Sequence, residues 1–161
     1  GGRRGRSDRV LGHPGRSVGA VRPNRSVPSA TVVPVLTYPD VREAVDWLTS
    51  AFGFRERLRI GAAHRSQLSV GDDGAVIVAD ERGDRVAPTG GPSAQHVMVR
   101  VPDVRAHRDR AAAGGARILT EPTDFEYGER QYSAEDPAGH RWVFTETLAD
   151  VDPQEWGGEL R

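Results

Sequence analysis

The sequence predicts an α+β fold in which one β-α-β-β-β unit is written twice. Three observations carry this. Residues 33–41 read Val-Pro-Val-Leu-Thr-Tyr-Pro-Asp-Val, and residues 96–104 read His-Val-Met-Val-Arg-Val-Pro-Asp-Val, so an apolar β-branched run ends in Pro-Asp-Val both times. A stretch of helix-forming residues follows each copy. Each copy then closes with an acidic, glycine-containing turn and a short apolar run, Asp72-Asp73-Gly74 into Ala75–Val78 and Asp136-Pro137-Ala138-Gly139 into His140–Val143. A period of about sixty residues is too long for a solenoid unit, which points to two copies of one supersecondary module in a single domain.

Thr31 to Tyr38 reads as the first strand, with Pro34 marking an edge or an early position in the sheet. Asp40 is a good N-cap, and Glu43 three residues later completes a capping box. Val41, Ala44, Val45, Leu48 and Phe52 fall at helical spacing, and Gly53 ends the helix at its C′ position. Phe54–Ile60, His64–Val70 and Ala75–Asp80 read as three strands joined by glycine-containing turns. After a Gly/Pro-rich connector over 81–93, the order repeats. Gln95–Val101 is a strand, Asp103 caps a helix reaching about Ala113, and Gly114-Gly115 stops it. Strands near Ala116–Leu119, Arg130–Ala134 and Arg141–Thr147 complete the second copy. The organisation expected is a flexible basic segment over 1–30, a domain over 31–148 with modules at 31–80 and 95–147, and a tail over 149–161 whose Trp156 docks on the domain or a partner.

Composition narrows the functional classes. The 161 residues suffice for one domain with a substantial core. All 22 basic residues are arginine, a bias that reads as GC-rich codon usage and a bacterial source. Without cysteine the chain has no disulfide framework, thiolate nucleophile or cysteine metal site. No run of apolar residues is long enough to span a bilayer, and the N-terminus lacks an apolar h-region, so a cytoplasmic protein without membrane contact is expected. Seven arginines and one aspartate in residues 1–30 give that segment +6. It lacks the apolar residues to offset its ordering entropy, and nucleic acid is not the expected partner.

The step Tyr38-Pro39-Asp40-Val41 into Ala51-Phe52-Gly53-Phe54, the run His96–Asp103, and Tyr127-Gly128-Glu129-Arg130 ahead of Asp136–Trp142 resemble the vicinal oxygen chelate superfamily of glyoxalases, extradiol dioxygenases and bleomycin-resistance proteins. The resemblance spans about residues 31–147. It implies two paired modules curling into a half-open barrel around a central cavity, and a homodimer. It also implies four ligand positions for a divalent metal, one on the first and one on the last strand of each module. Counting seven back from the capping aspartates gives His96 and Val33. Counting four on from the turn glycines gives Val143 and Val78. Three of the four are valine, so no metal and no cofactor is expected. Glu81 and Glu146 lie three residues beyond those last-strand positions, on the opposite parity, and a bulge is required before either joins His96 in a displaced metal site.

Strand parity extends this to the cavity lining. Val33, Val35 and Thr37, Val76 and Val78, His96, Met98 and Arg100, and Arg141, Val143 and Thr145 should face inward, and Tyr132 reads either as an aromatic wall of the cavity or as a core tyrosine. Leu36, Val97, Val99, Val101, Trp142 and Phe144 should pack beneath the helices. His96 reads either as a general base or as a residue that hydrogen-bonds an inner neighbour. Arg100 and Arg141 read either as carboxylate or phosphate binders or as structural ion-pair members. This largely apolar lining suits a small-molecule pocket. The expected function is metal-independent binding of a small molecule, in the manner of drug-sequestering resistance proteins, with an aromatic or antibiotic-like ligand to which Tyr127 and Trp156 contribute. The alternative is a glyoxalase-like lyase or dioxygenase using His96 with Glu146 or Glu81.

Overall fold

The computed structural model describes residues 19–161. Residues 1–18, and with them most of the basic segment, lie outside the described residues. The first module contains β1 (Val35–Tyr38), α1 (Val41–Phe52), β2 (Arg55–Ile60), β3 (Arg65–Val70) and β4 (Gly74–Asp80). The second contains β5 (Val97–Arg100), α2 (Val104–Ala113), β6 (Arg117–Asp124), β7 (Glu129–Glu135) and β8 (Arg141–Thr147), and a 3₁₀ turn at Pro153–Trp156 follows. Each module forms its own four-stranded sheet, ordered β1-β4-β3-β2 and β5-β8-β7-β6. In both, the first strand pairs in parallel with the last and lies at the sheet edge.

The helix starts follow the sequence. Asp40 accepts from Glu43 N at 2.9 Å and Asp103 from Ala106 N at 3.0 Å. Gly53, with φ of 77°, closes α1 in the left-handed conformation that glycine adopts without steric cost. Both first strands are shorter than expected. β1 begins at Val35 because Pro34 has no N–H to give the ladder, and β5 begins at Val97, so Val33 and His96 sit just ahead of their strands. β6 runs further than expected, to Asp124, with two register shifts along its pairing with β7.

One core unites the modules, because α1 and α2 pack between the helix-facing sides of the two sheets. Leu36, Leu48, Phe52, Leu68 and Val78 from the first module join Val99, Val104, Tyr132, Trp142 and Phe144 from the second in one buried cluster. Phe52 packs edge-on against Phe144 and Trp142, with ring centroids 4.8 and 5.5 Å apart. Truncating any of these rings to alanine is expected to cost about 3–5 kcal/mol.

Polar bonds fix how the modules meet. The carbonyls at the end of α1 are capped from α2, with Arg110 donating to Ser50 O at 2.8 Å and to Thr49 O at 3.2 Å, and His107 Nε2 donating to Phe52 O at 3.1 Å. Trp47 Nε1 returns a bond to Gly114 O at 2.7 Å. At the other end of the contact, Tyr38 donates its hydroxyl to Asp136 at 2.6 Å, and His140 Nε2 donates to Thr37 O at 2.7 Å. His140 is therefore half-buried and bonded across the modules.

Candidate functional site

The faces of the sheets that turn away from the helices are the inner faces, and along the facing edges β1 and β5 they leave a groove. One stretch, about 930 Å³, is lined by Val32, Pro34, Val97, Met98, Arg100 and Thr147 among others. A second, about 630 Å³, is lined by Pro34, Val35, His96, Val97, His140 and Arg141 among others. Pro34 and Val97 belong to both, so these are adjacent stretches of one groove. Val35 and Met98 are 45% and 54% exposed, high for apolar side chains on strands.

Most of the residues expected in the lining are brought to this groove. Val35 and Met98 occupy matching positions, opposite Ile77 and Val143 respectively. His96 is exposed at the groove wall. Arg100 donates to Thr147 Oγ1 at 2.6 Å, and Arg141 donates to Gly91 O at 2.6 Å with Glu135 at 3.8 Å. Val33 is half-buried just ahead of β1.

Three residues face the other way. Val78 is fully buried against the helices, since it lies opposite Leu36 on β1, and Val76 shares its side. The inner residue of that strand is Ile77. The cause is a turn length: the residue facing the groove is four past Gly139 in β8 but three past Gly74 in β4, and a one-residue slip in a strand exchanges its faces. Tyr132 is 1% exposed and also belongs to the helix side, where its hydroxyl donates to His107 Nδ1 at 2.6 Å. Burial, the larger cause, holds the Tyr132 hydroxyl pKa above its ordinary value.

The neighbours of Tyr132 supply what the sequence reading missed. Gln131 and Ser133 point to the inner face, opposite Thr145 and Val143. Gln131 Nε2 donates to Thr145 Oγ1 at 3.3 Å, Thr145 donates to Glu129 at 3.0 Å, and Ser133 and Thr120 share a 2.6 Å hydroxyl bond. The inner face of the second sheet is thus a patch of hydroxyl and amide groups beside the apolar groove. Alternation around Tyr132 was the signal for it, hidden because the aromatic residue drew the assignment. At the β6–β7 turn, Tyr127 stacks on Phe125 at 5.3 Å and meets Trp156 of the tail at 5.4 Å, so the tail tryptophan docks on its own domain.

The donor set does not fit a catalytic divalent metal. Such an ion needs three or four nitrogen or oxygen ligands converging on it. Of the positions that correspond across the modules (Val33 with His96, Ile77 with Val143), only His96 offers a donor atom. Glu146 accepts from Val104 N at 2.9 Å, at the start of α2, and Glu81 accepts from Ala87 N at 3.0 Å. Both carboxylates considered as displaced ligands thereby accept from backbone N–H groups. Among the described residues, no group of three or more His, Asp or Glu side chains is placed to hold a metal ion. No helix among them is long and apolar enough to cross a membrane.

Comparison with known proteins bears on the family and the fold. TioX from Micromonospora sp. ML1 is 40% identical over 72% of this chain and 97% of its own, with a TM-score of 0.60. A glyoxalase/bleomycin resistance protein/dioxygenase from Nocardioides is 20% identical over 89% of this chain and 93% of its own, with a TM-score of 0.57. A glyoxalase-related enzyme from Fulvimarina pelagi is 17% identical over 74% and 88%, with a TM-score of 0.60. At these lower identities the likeness is one of fold. Among curated proteins, none matches. The model of the Glyoxalase/Bleomycin resistance protein/Dioxygenase superfamily matches residues 30–144. Paired βαβββ modules, the groove between their first strands and this match over most of the chain together place the protein in the Glyoxalase/Bleomycin resistance protein/Dioxygenase superfamily.

Proposed function

We propose that this protein binds a small organic molecule in the groove between its modules without using a metal. The observation that carries the reading is the set of positions that correspond across the modules, where Val33, Ile77 and Val143 accompany a single histidine, His96. An aliphatic lining cannot polarise a carbonyl or activate water, but it does favour apolar surface transferred from water. Val35 and Met98 provide that surface, and Gln131, Ser133, Thr145 and Arg100 provide hydrogen bonds that orient a ligand's polar groups. The ligand class is an aromatic or antibiotic-like compound with polar substituents, held by affinity while no bond is broken.

The groove also supports a homodimer. Both strands that border it are sheet edges with unpaired backbone groups, and Val32, Val35 and Met98 leave apolar surface beside them. A second copy would cover this surface, and sedimentation analysis would show a dimer. A single monomeric species at micromolar concentration would rule it out.

Calorimetric titration of the EDTA-stripped protein with Zn²⁺, Ni²⁺, Mn²⁺ and Fe²⁺, alongside His96→Ala, tests the metal-independent reading. The expected result is no stoichiometric binding to either protein, followed by stabilisation from aromatic compounds in a thermal-shift screen. Stoichiometric micromolar binding that disappears in His96→Ala would overturn the reading.

A further inference from the structure

The stretch ahead of β1 lies across the inner face of the first sheet, and its attachment is specific. Asn24 begins a turn in which its side-chain oxygen accepts from Ser26 N at 2.9 Å and its carbonyl from Val27 N at 3.2 Å. The turn presents two successive carbonyls to the sheet. Arg57 Nη2 donates to Arg25 O at 3.0 Å, and Gln67 Nε2 donates to Ser26 O at 2.9 Å. Arg57 also donates to Gln67 Oε1, so the two side chains brace each other. Pro28 and Ala30 are half-buried as the chain continues towards β1.

This attachment makes the two inner faces unequal. Gln67 is 3% exposed although no helix covers its side of the sheet. Its counterpart in the second sheet is Ser133, since Gln67 lies opposite Ile77 as Ser133 lies opposite Val143. Ser133 is only half-buried, with the side chain of Thr120 as its neighbour. The fold offers two equivalent concave faces, and this chain fills one of them with its own backbone. Both bonds run from side-chain donors to peptide carbonyls, and the segment adds no strand to the sheet. Such an attachment can be released without unfolding a ladder.

We propose that Asn24–Ala30 is a displaceable strap over the inner face of the first sheet, beside the binding groove, and that a ligand reaching from the groove onto that face must lift it. The ligand is the small molecule of the reading above, and on that reading the inference rests. While the strap is seated, the competent fraction of the protein is small and apparent affinity falls in proportion. The second module's polar face stays open throughout.

Trypsin reports the strap directly in the full chain. The Arg25–Ser26 bond is cleavable only when its carbonyl leaves Arg57, and Arg22 precedes proline, which protects that bond. Appearance of the 26–161 fragment is followed by mass spectrometry with and without saturating Nile red, a neutral apolar dye. Asn24→Ala, which breaks the turn and leaves the sheet unchanged, is run beside the wild type. Cleavage at Arg25 should rise about tenfold in Asn24→Ala, dye affinity should rise in parallel, and the dye should accelerate wild-type cleavage. Equal dye affinity in both proteins, or cleavage unmoved by bound dye, overturns the gating alone. Dye binding absent from both proteins even after Arg25 is cut overturns the small-molecule reading and the gating with it.

Discussion

Asp136 brings a carboxylate into the interior at 3% exposure, where its two oxygens accept from Tyr38 Oη, Trp142 Nε1, Ala138 N and His140 N. A buried carboxylate is tolerated when its lone pairs are met, as they are here. Burial first and the Asp136 charge second raise the Tyr38 pKa well above its ordinary value, so the phenol stays protonated and keeps donating. Asp136→Asn turns an acceptor towards a donor and is expected to cost about 2–4 kcal/mol in urea denaturation, with Tyr38→Phe costing less. Gly114 is constrained differently. A Cβ added there would stand 2.7 Å from Ala51 Cβ, where the end of α2 crosses α1. Gly114→Ala should therefore destabilise by about 1–3 kcal/mol through overpacking, read from the same denaturation curves. Neither role was visible in the sequence, which presents Asp136 as a turn residue and Gly114 as a helix stop. Tyr38 lies 98 positions from Asp136, and Ala51 lies about sixty from Gly114, and no local pattern encodes either meeting.

The helices were legible for local reasons: a capping aspartate begins each, glycine ends each, and α1 carries a clear apolar stripe. α2 is less self-evident, since only Val104 and Ala111 of its residues are buried. His107 does much of the remaining docking, yet it sits in the run Arg105-Ala106-His107-Arg108-Asp109-Arg110, which reads as a solvated face. Its ring lies 4.0 Å from that of Phe144, accepts from Tyr132 and donates to Phe52 O. Burial, the largest cause, and the nearby Arg110 lower its pKa, against a raising effect from the Phe52 carbonyl. The sign follows from linkage. The unfolded chain takes up the proton more readily, so the stability held above about pH 6.5 is lost progressively as pH falls towards the folded value. Melting temperature should decline as pH falls below about 6.5, and His107→Phe, though less stable at neutral pH, should show a shallower decline there. An unchanged slope in His107→Phe would remove this histidine from the account. The strands show the complementary limit. Their existence followed from alternation, but facing depends on turn length, and the shorter turn before β4 put Val78 on the wrong side.

At the scale of the molecule, the repeat predicted the architecture because each copy carries its own strands, caps and turns. The groove is legible only in outline, since it is made of faces contributed by both copies, and the strap over Gln67 comes from outside either. Every strand ladder lies within one module, and the modules communicate through side chains: the aromatic cluster around Phe52, the caps on α1 and the Asp136 bonds. Separating sheets in this way has a kinetic consequence. The longest loop that must close to complete a ladder spans roughly forty residues, from β1 to β4 or from β5 to β8, and closure entropy grows only slowly with that length. Each half can condense around its own helix, and their union adds a separate, later step. Stopped-flow refolding should then show far-ultraviolet dichroism returning ahead of the fluorescence of Trp142, which packs against Phe52 and Phe54 of the other half. Coincident phases would mean that the halves condense together. If they are successive, the chain passes through a state in which Phe52, Trp142 and Phe144 are exposed, and its yield on refolding will depend on protein concentration.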